Sequence, residues 1–193
     1  MISLRPLTVL PEKATLVLLG SLVYTSLHMA NIWLFGVWEV TQNISWIYLP
    51  SFIRLANLLI LGPLWGTLAT GLGGAELIFL SDQALNGLAW LNVLASCSSA
   101  VAAYGLFQWL FHRPVALSQL KDLLLLAGIY TLINPGLHFL LWQLLYANTP
   151  KPLHDFVAMA VGDLVGVIVG GLFFVWVARS SGLARFVARQ LHR

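Results

Sequence analysis

The chain has 193 residues, of which 59% are hydrophobic and only 9% are charged, with a formal net charge of +3. Soluble domains carry about 25% charged residues, so this composition excludes a soluble protein and indicates an integral membrane protein. Membrane topology explains the basic excess without a nucleic-acid partner. The single cysteine, Cys97, excludes an internal disulfide.

Long apolar runs predict an all-α membrane protein, a bundle of six transmembrane helices of about 20 residues each. The predicted spans are residues 14–38, 46–61, 63–81, 86–110, 120–146 and 154–178. Gly62-Pro63 divides an apolar stretch that is too long for one span. A transmembrane domain over residues 1–178 is therefore followed by a basic tail over residues 179–193.

The basic residues orient this bundle in a bacterial inner membrane, with both termini in the cytoplasm. Six spans leave only Lys151 in an outer loop. The other loop and tail cations fall inside, at Arg5, Lys13, Arg113, Lys121, Arg179, Arg185, Arg189 and Arg193.

The tail spaces Arg185, Arg189 and Arg193 at i, i+4 and i+8, opposite a face of apolar residues. This pattern is typical of an amphipathic helix on anionic lipid. Two other interpretations stay open, a frayed basic end and a docking site for a cytoplasmic partner.

Three ionised residues lie too deep in predicted spans to be placed in loops, namely Arg54, Glu76 and Asp163. A charge within the hydrocarbon is costly and marks a candidate functional site. At about 1.5 Å per residue, all three lie at similar depths in the outer half of the bilayer.

Small residues at helical spacing accompany both acids and predict close helix packing. Gly66 and Gly73 lead to Glu76 on the third span, and further glycines surround Asp163 on the sixth span, at Gly162, Gly166 and Gly170. We therefore expect these two spans to pack together, with both acids near Arg54.

Other spans carry polar residues at a comparable depth, at His28, Asn31, Asn92, Asn134 and His138. Together these residues predict a polar cavity or network in the outer half, lined by all six spans. One interpretation is a structural tie between Arg54 and a carboxylate. In that case Asp163→Ala destabilises the bundle and Arg54→Ala partly rescues it.

A second interpretation is a small-ligand site, in which two acids against Arg54 leave negative charge for a cation or amine. A metal site is a third, because His28, His138, Glu76 and Asp163 are metal-ligand types, although no spacing within one helix supports it. We predict no metal and no cofactor. The chain also lacks a phosphate-binding glycine loop, a Gly-x-Ser-x-Gly elbow and a His-Glu-x-x-His motif, which favours a non-catalytic protein.

Several short motifs over residues 45–178 resemble the membrane-associated sensor (MASE) domains. These are Tyr48-Leu-Pro50, Leu61-Gly-Pro-Leu-Trp-Gly66 before a Gly-rich helix, Leu110-Phe-His-Arg113 with Leu120-Lys-Asp-Leu-Leu124, and Gly162-Asp163-Leu-Val-Gly166. The resemblance implies a membrane sensor, which in that family is normally joined to a histidine kinase or diguanylate cyclase. The chain departs from the pattern at Phe52, where a small residue is usual, and in ending fifteen residues after the last predicted span. We therefore expect a standalone sensor-like module that acts through a membrane or cytoplasmic partner protein.

The Leu61-Gly-Pro-Leu-Trp-Gly66 run and its Gly-rich helix also resemble substrate-binding subunits of energy-coupling-factor vitamin transporters. Such subunits bind their ligand in the outer half of the bilayer. The first span lacks that family's Ala-x-x-x-Ala pattern, and the Gly-Asp-x-x-Gly run has no counterpart in it. A third alternative is a small accessory subunit of a larger membrane complex.

Overall fold

The computed structural model describes residues 9–41, 44–145 and 152–181. In chain order it contains α1 (Val9–Phe35), a short 3-10 turn (Gly36–Trp38), strands β1 (Glu39–Thr41) and β2 (Ile44–Ser45), α2 (Pro50–Leu80), α3 (Gly87–Phe111), α4 (Leu120–Leu145) and α5 (Pro152–Ser181). The two strands pair antiparallel, with Glu39 opposite Ser45. Within the described residues, five helices are long and apolar enough to cross a membrane.

The side chains are distributed as a multi-pass membrane bundle requires, with apolar groups outside and polar groups inside. Leu132 and Phe173 are more than 60% exposed, whereas Asn134 and Asp163 are fully buried. This distribution fits a lipid environment and not an aqueous one. Apolar side chains then meet the lipid, and intramembrane polar residues face the interior of the bundle.

The second helix bears on the predicted count of six, because five long helices are described and one of them contains two of the predicted spans. The two spans predicted at 46–61 and 63–81 are both in α2, which is broken at Gly62 (φ +84°) just before Pro63. A Cβ at Gly66 would meet the backbone of Asn57 and Leu58, so the chain reverses direction at the break. We call residues 50–61 the first limb and 63–80 the second limb.

The first limb is shorter than predicted because the chain before Pro50 is not helical. Twelve residues rise about 18 Å, which is less than the roughly 30 Å of a bilayer's hydrocarbon core. The side chain of Asn31 holds this preceding segment, since its amide accepts from Leu49 N at 2.8 Å and donates to Ile47 O at 3.2 Å.

The two limbs return α2 to the end of the bundle from which it started. We call this the hairpin end, defined by strands β1 (39–41) and β2 (44–45) and the connection 81–86. The opposite end holds the break at Gly62 and the connection 112–119. From this end to the middle of the bundle, an apolar core joins the first limb to α3 and α4, through Leu58, Phe107, Leu126 and Tyr130 among others.

One ion pair closes the opposite end. Arg113 donates to both carboxylate oxygens of Asp122, and Asp122 also accepts from Ala116 N at 3.0 Å. The start of α4 is thereby tied to the connection that follows α3.

The glycine stripes do allow close packing, but their predicted pairing is wrong. Gly73 packs on α1, where an added Cβ would lie 2.6 Å from the Tyr24 ring. On α5, Gly162, Gly166 and Gly170 pack on the segment 45–52, against Ser45, Tyr48 and Phe52 respectively. The second limb and α5 therefore do not pack through these stripes.

Candidate functional site

Arg54 lies on the first limb and is only 4% exposed. Its guanidinium donates to three phenol oxygens, at 3.0 Å to Tyr24, 3.0 Å to Tyr48 and 3.1 Å to Tyr130. These tyrosines come from α1, from the segment before α2 and from α4. The guanidinium carbon also lies 5.1 Å from the Tyr48 ring centre, within cation–π range.

Neither predicted acid forms an ion pair with Arg54. Among the described residues, the ion pairs within 4 Å are Arg113–Asp122 and His154–Asp155. The expected carboxylate tie is therefore wrong at the level of direct contact, because neutral phenols occupy the positions around the guanidinium.

Glu76 is half-buried and binds α1 instead. It accepts hydrogen bonds from Ser21 Oγ at 3.0 Å and Thr25 Oγ1 at 2.6 Å. Thr25 also donates to Gly73 O at 3.1 Å. Glu76 thus joins the second limb to α1, which is a packing role away from Arg54.

Asp163 is fully buried on α5 and has one direct side-chain partner. Its Oδ2 accepts from Asn134 Nδ2 at 2.6 Å, while Oδ1 has no hydrogen-bond partner among the described residues. Asn134 Oδ1 in turn accepts from Ser99 Oγ at 2.8 Å. Asp163 therefore belongs to a buried network that joins α3, α4 and α5.

The histidines lie at separate positions. His28 Nδ1 is 3.1 Å from the Tyr48 hydroxyl. His138 contacts Ser96 Oγ at 3.3 Å through Nε2 and Asn134 O at 2.9 Å through Nδ1. Among the residues described, no three His, Cys, Asp or Glu side chains come close enough to hold a metal ion.

A cavity of about 430 Å³ opens at the hairpin end and reaches down to Arg54. This volume is within the roughly 300–1,000 Å³ of small-molecule sites. The exposed residues Ser81 and Asn86 lie at its mouth. Residues of all five helices, including both limbs of α2, line the cavity. Its polar lining includes Tyr24, His28, Tyr48, Arg54, Asn92, Ser96, His138 and Trp142.

The cavity takes up only some of the predicted site residues. Arg54, His28, His138 and Asn92 line it, and Asn92 also accepts from Trp142 Nε1 at 3.0 Å. The other predicted polar residues do not line the cavity: Glu76, Asp163, Asn31 and Asn134 serve in packing or in the buried network. The predicted docking residues of the tail, Arg185, Arg189 and Arg193, lie outside the described residues.

The sequence reasoning missed the phenols of Tyr24 and Tyr48 as partners of Arg54. A signal was present in α1, where Tyr24 precedes His28 by one helical turn and so shares its face. Phenols are natural partners for a buried guanidinium because they combine an apolar ring with a polar hydroxyl.

No known protein family, curated protein or solved structure matches this chain.

Proposed function

We propose that this protein is a non-catalytic membrane module that binds a small ligand from the outer side and acts through a partner protein. The observation that carries the proposal is the cavity at the hairpin end, with the buried guanidinium of Arg54 at its floor. The sensor modules that the sequence resembles supply the class of function.

The proposed orientation places the hairpin end outside a bacterial inner membrane, with both termini in the cytoplasm and both limbs of α2 reached from the outer side. The reversal of α2 at Gly62 supports an even number of crossings. Arg113 and Lys121 lie at the opposite end, as the positive-inside rule requires of a cytoplasmic face.

The contacts of α5 offer a route from the cavity to a partner. Tyr48, which binds Arg54, donates its backbone N–H to Gly162 O at 3.1 Å. One turn on, Ser51 Oγ donates to Asp163 O at 2.9 Å. A ligand that shifts Arg54 and Tyr48 would therefore press directly on α5, which leads into the basic tail and its docking residues.

The same cavity supports a second candidate, a substrate-binding subunit of a vitamin transporter. Both functions require a ligand site near the outer face, so the partner distinguishes them. A transporter subunit needs a membrane coupling protein and paired ATPases, whereas a sensor needs a kinase, a cyclase or another output protein. An accessory subunit would instead be found in a larger assembly.

Gentle isolation in lipid nanodiscs, followed by identification of the co-purifying proteins, tests the proposal. The matched control carries Arg185→Glu and Arg189→Glu, which should release a partner held by the tail. A kinase or cyclase that is lost from the control supports the sensor function. Paired ATPases with vitamin uptake in vesicles would overturn it in favour of the transporter.

A further inference from the structure

The described side chains that line the cavity give it a positive formal charge. Its ionisable lining residues are one arginine, two histidines and two tyrosines, namely Arg54, His28, His138, Tyr24 and Tyr48. No Asp or Glu is among the described residues that line it. This finding argues against the cation or amine expected from the sequence, since both acids that suggested it lie outside the cavity.

The charge on Arg54 has no counter-ion in contact with it. Its hydrogen-bond acceptors are neutral phenols, and Asp163 acts on it electrostatically without an ion pair within 4 Å. A buried charge without a contacting opposite charge is a costly state. An anion that reaches the floor of the cavity would relieve this cost.

The floor keeps donors for such an anion, although the three phenols take four of the five N–H groups of Arg54. A guanidinium binds carboxylate or phosphate oxygens through charge-assisted hydrogen bonds. Tyr24 accepts from Arg54 and keeps a hydroxyl hydrogen that can be donated to an anion. The ring of His28, on the same wall, contacts Tyr48 and holds the phenol against the guanidinium.

The upper walls are apolar and require an organic body on the ligand. They are formed by aliphatic and thioether side chains, at Met29, Ile32, Leu77, Ile78, Val93 and Met159. Met29 and Ile32 on α1 are about half-exposed at the rim, at 50% and 49%. An inorganic anion alone would leave these surfaces uncovered.

We propose that the cavity binds a small amphiphilic anion, with its carboxylate or similar acidic head on Arg54 and its apolar body between α1, α2 and α3. This inference rests on the proposed function, because it names the ligand class of the same cavity. It replaces the cationic ligand suggested by the sequence.

Thermal unfolding of the full chain in nanodiscs, with three probes of equal chain length, tests the ligand class. The probes are octanoate, octanol and octylamine, with acetate and inorganic phosphate as anions that lack an apolar body. We expect octanoate to raise Tm by about 5 °C at roughly 100 times its Kd, and the other probes to have little effect.

Two variants locate the binding. Arg54→Gln should abolish the octanoate shift by removing the charge. Because that variant could fail to fold, Ala89→Trp serves as a second variant, which fills the cavity wall and leaves Arg54 in place. Leu132→Trp on the lipid-facing side of α4, where Leu132 is 63% exposed, is the matched control and should keep the shift.

Each outcome separates the ligand class from the proposed function. An equal shift with octylamine or octanol, lost in Ala89→Trp, overturns the anionic class and leaves the cavity as a ligand site. An octanoate shift that persists in Ala89→Trp overturns both the inference and the cavity as the site. The absence of a shift with octanoate also overturns the inference.

Discussion

The two ends of the bundle each contain an arginine whose position is fixed by hydrogen bonds, but the arginines have opposite environments. At the opposite end, Arg113 is 43% exposed in its side chain and still has a carboxylate partner, Asp122. Near the hairpin end, Arg54 is 4% exposed, and its side-chain hydrogen-bond partners among the described residues are phenol oxygens. The partly exposed Arg113 therefore has a carboxylate partner, whereas the buried Arg54 has none within 4 Å among the described residues.

This contrast separates a structural charge from a site for a ligand. Arg113 and Asp122 neutralise one another and complete a connection between two helices, so they need nothing further. The charge on Arg54 is left facing a cavity, where a partner can be supplied from outside the chain. The predictions that follow test whether the two ends are independent in this way.

The largest loss of stability is expected in the apolar core near the opposite end. Phe107 is fully buried, and its ring centre lies 4.7 Å from that of Phe111. Phe107→Ala should lower the free energy of unfolding by about 3–5 kcal/mol through a large cavity. Reversible unfolding in mixed micelles would measure this loss, with the lipid-facing Leu132→Ala as its control. Loss of octanoate binding in a folded Phe107→Ala variant would show that the two ends are not independent.

The next largest effect is expected at Asp163. Asp163→Ala leaves the buried amide of Asn134 without its acceptor and should cost about 1–3 kcal/mol. Since Asp163 acts on Arg54 electrostatically but without an ion pair within 4 Å, the losses from Asp163→Ala and Arg54→Ala should add to within about 1 kcal/mol.

The same unfolding measurement on the double variant checks this additivity. The sequence-based expectation was different, namely that Arg54→Ala partly rescues Asp163→Ala. A clear rescue would mean that the two side chains form an ion pair in the membrane and would remove the contrast between the two arginines.

The smallest of the three effects is expected at Arg113. Arg113→Gln removes the charge, but Asp122 keeps the backbone N–H of Ala116 as a donor. We expect a modest fall in Tm and no change in the Kd for octanoate. A large change in that Kd, measured by titration in nanodiscs, would contradict the assignment of Arg113 to structure alone.

Sequence reasoning reached the membrane class, the break before Pro63 and the small-residue packing because each follows from local chemistry. Gly62-Pro63 favours a helix break through its own backbone chemistry, and a glycine stripe allows close approach of whichever element meets it. Helical spacing identifies the face of a helix but not the neighbour that the face meets. The pairing of Gly166 with the segment at Tyr48 could therefore not be predicted.

The site shows the same division. The need for a special environment around Arg54 follows from the cost of a charge in an apolar run. Its actual partners do not follow, because phenols such as Tyr24 produce no anomaly in hydropathy. The cavity is lined by residues of five helices, an arrangement that no single segment encodes.

The central claim, that Arg54 receives the acidic head of a ligand, is tested most directly by solid-state NMR in nanodiscs. The measurement is dipolar dephasing between carboxyl-¹³C octanoate and guanidinium-¹⁵N arginine. We expect dephasing that corresponds to direct hydrogen bonding, with nitrogen–oxygen distances of about 2.7–2.9 Å, and its loss in Ala89→Trp and Arg54→Gln. Bound octanoate without dephasing, or dephasing that survives in both variants, would contradict the claim.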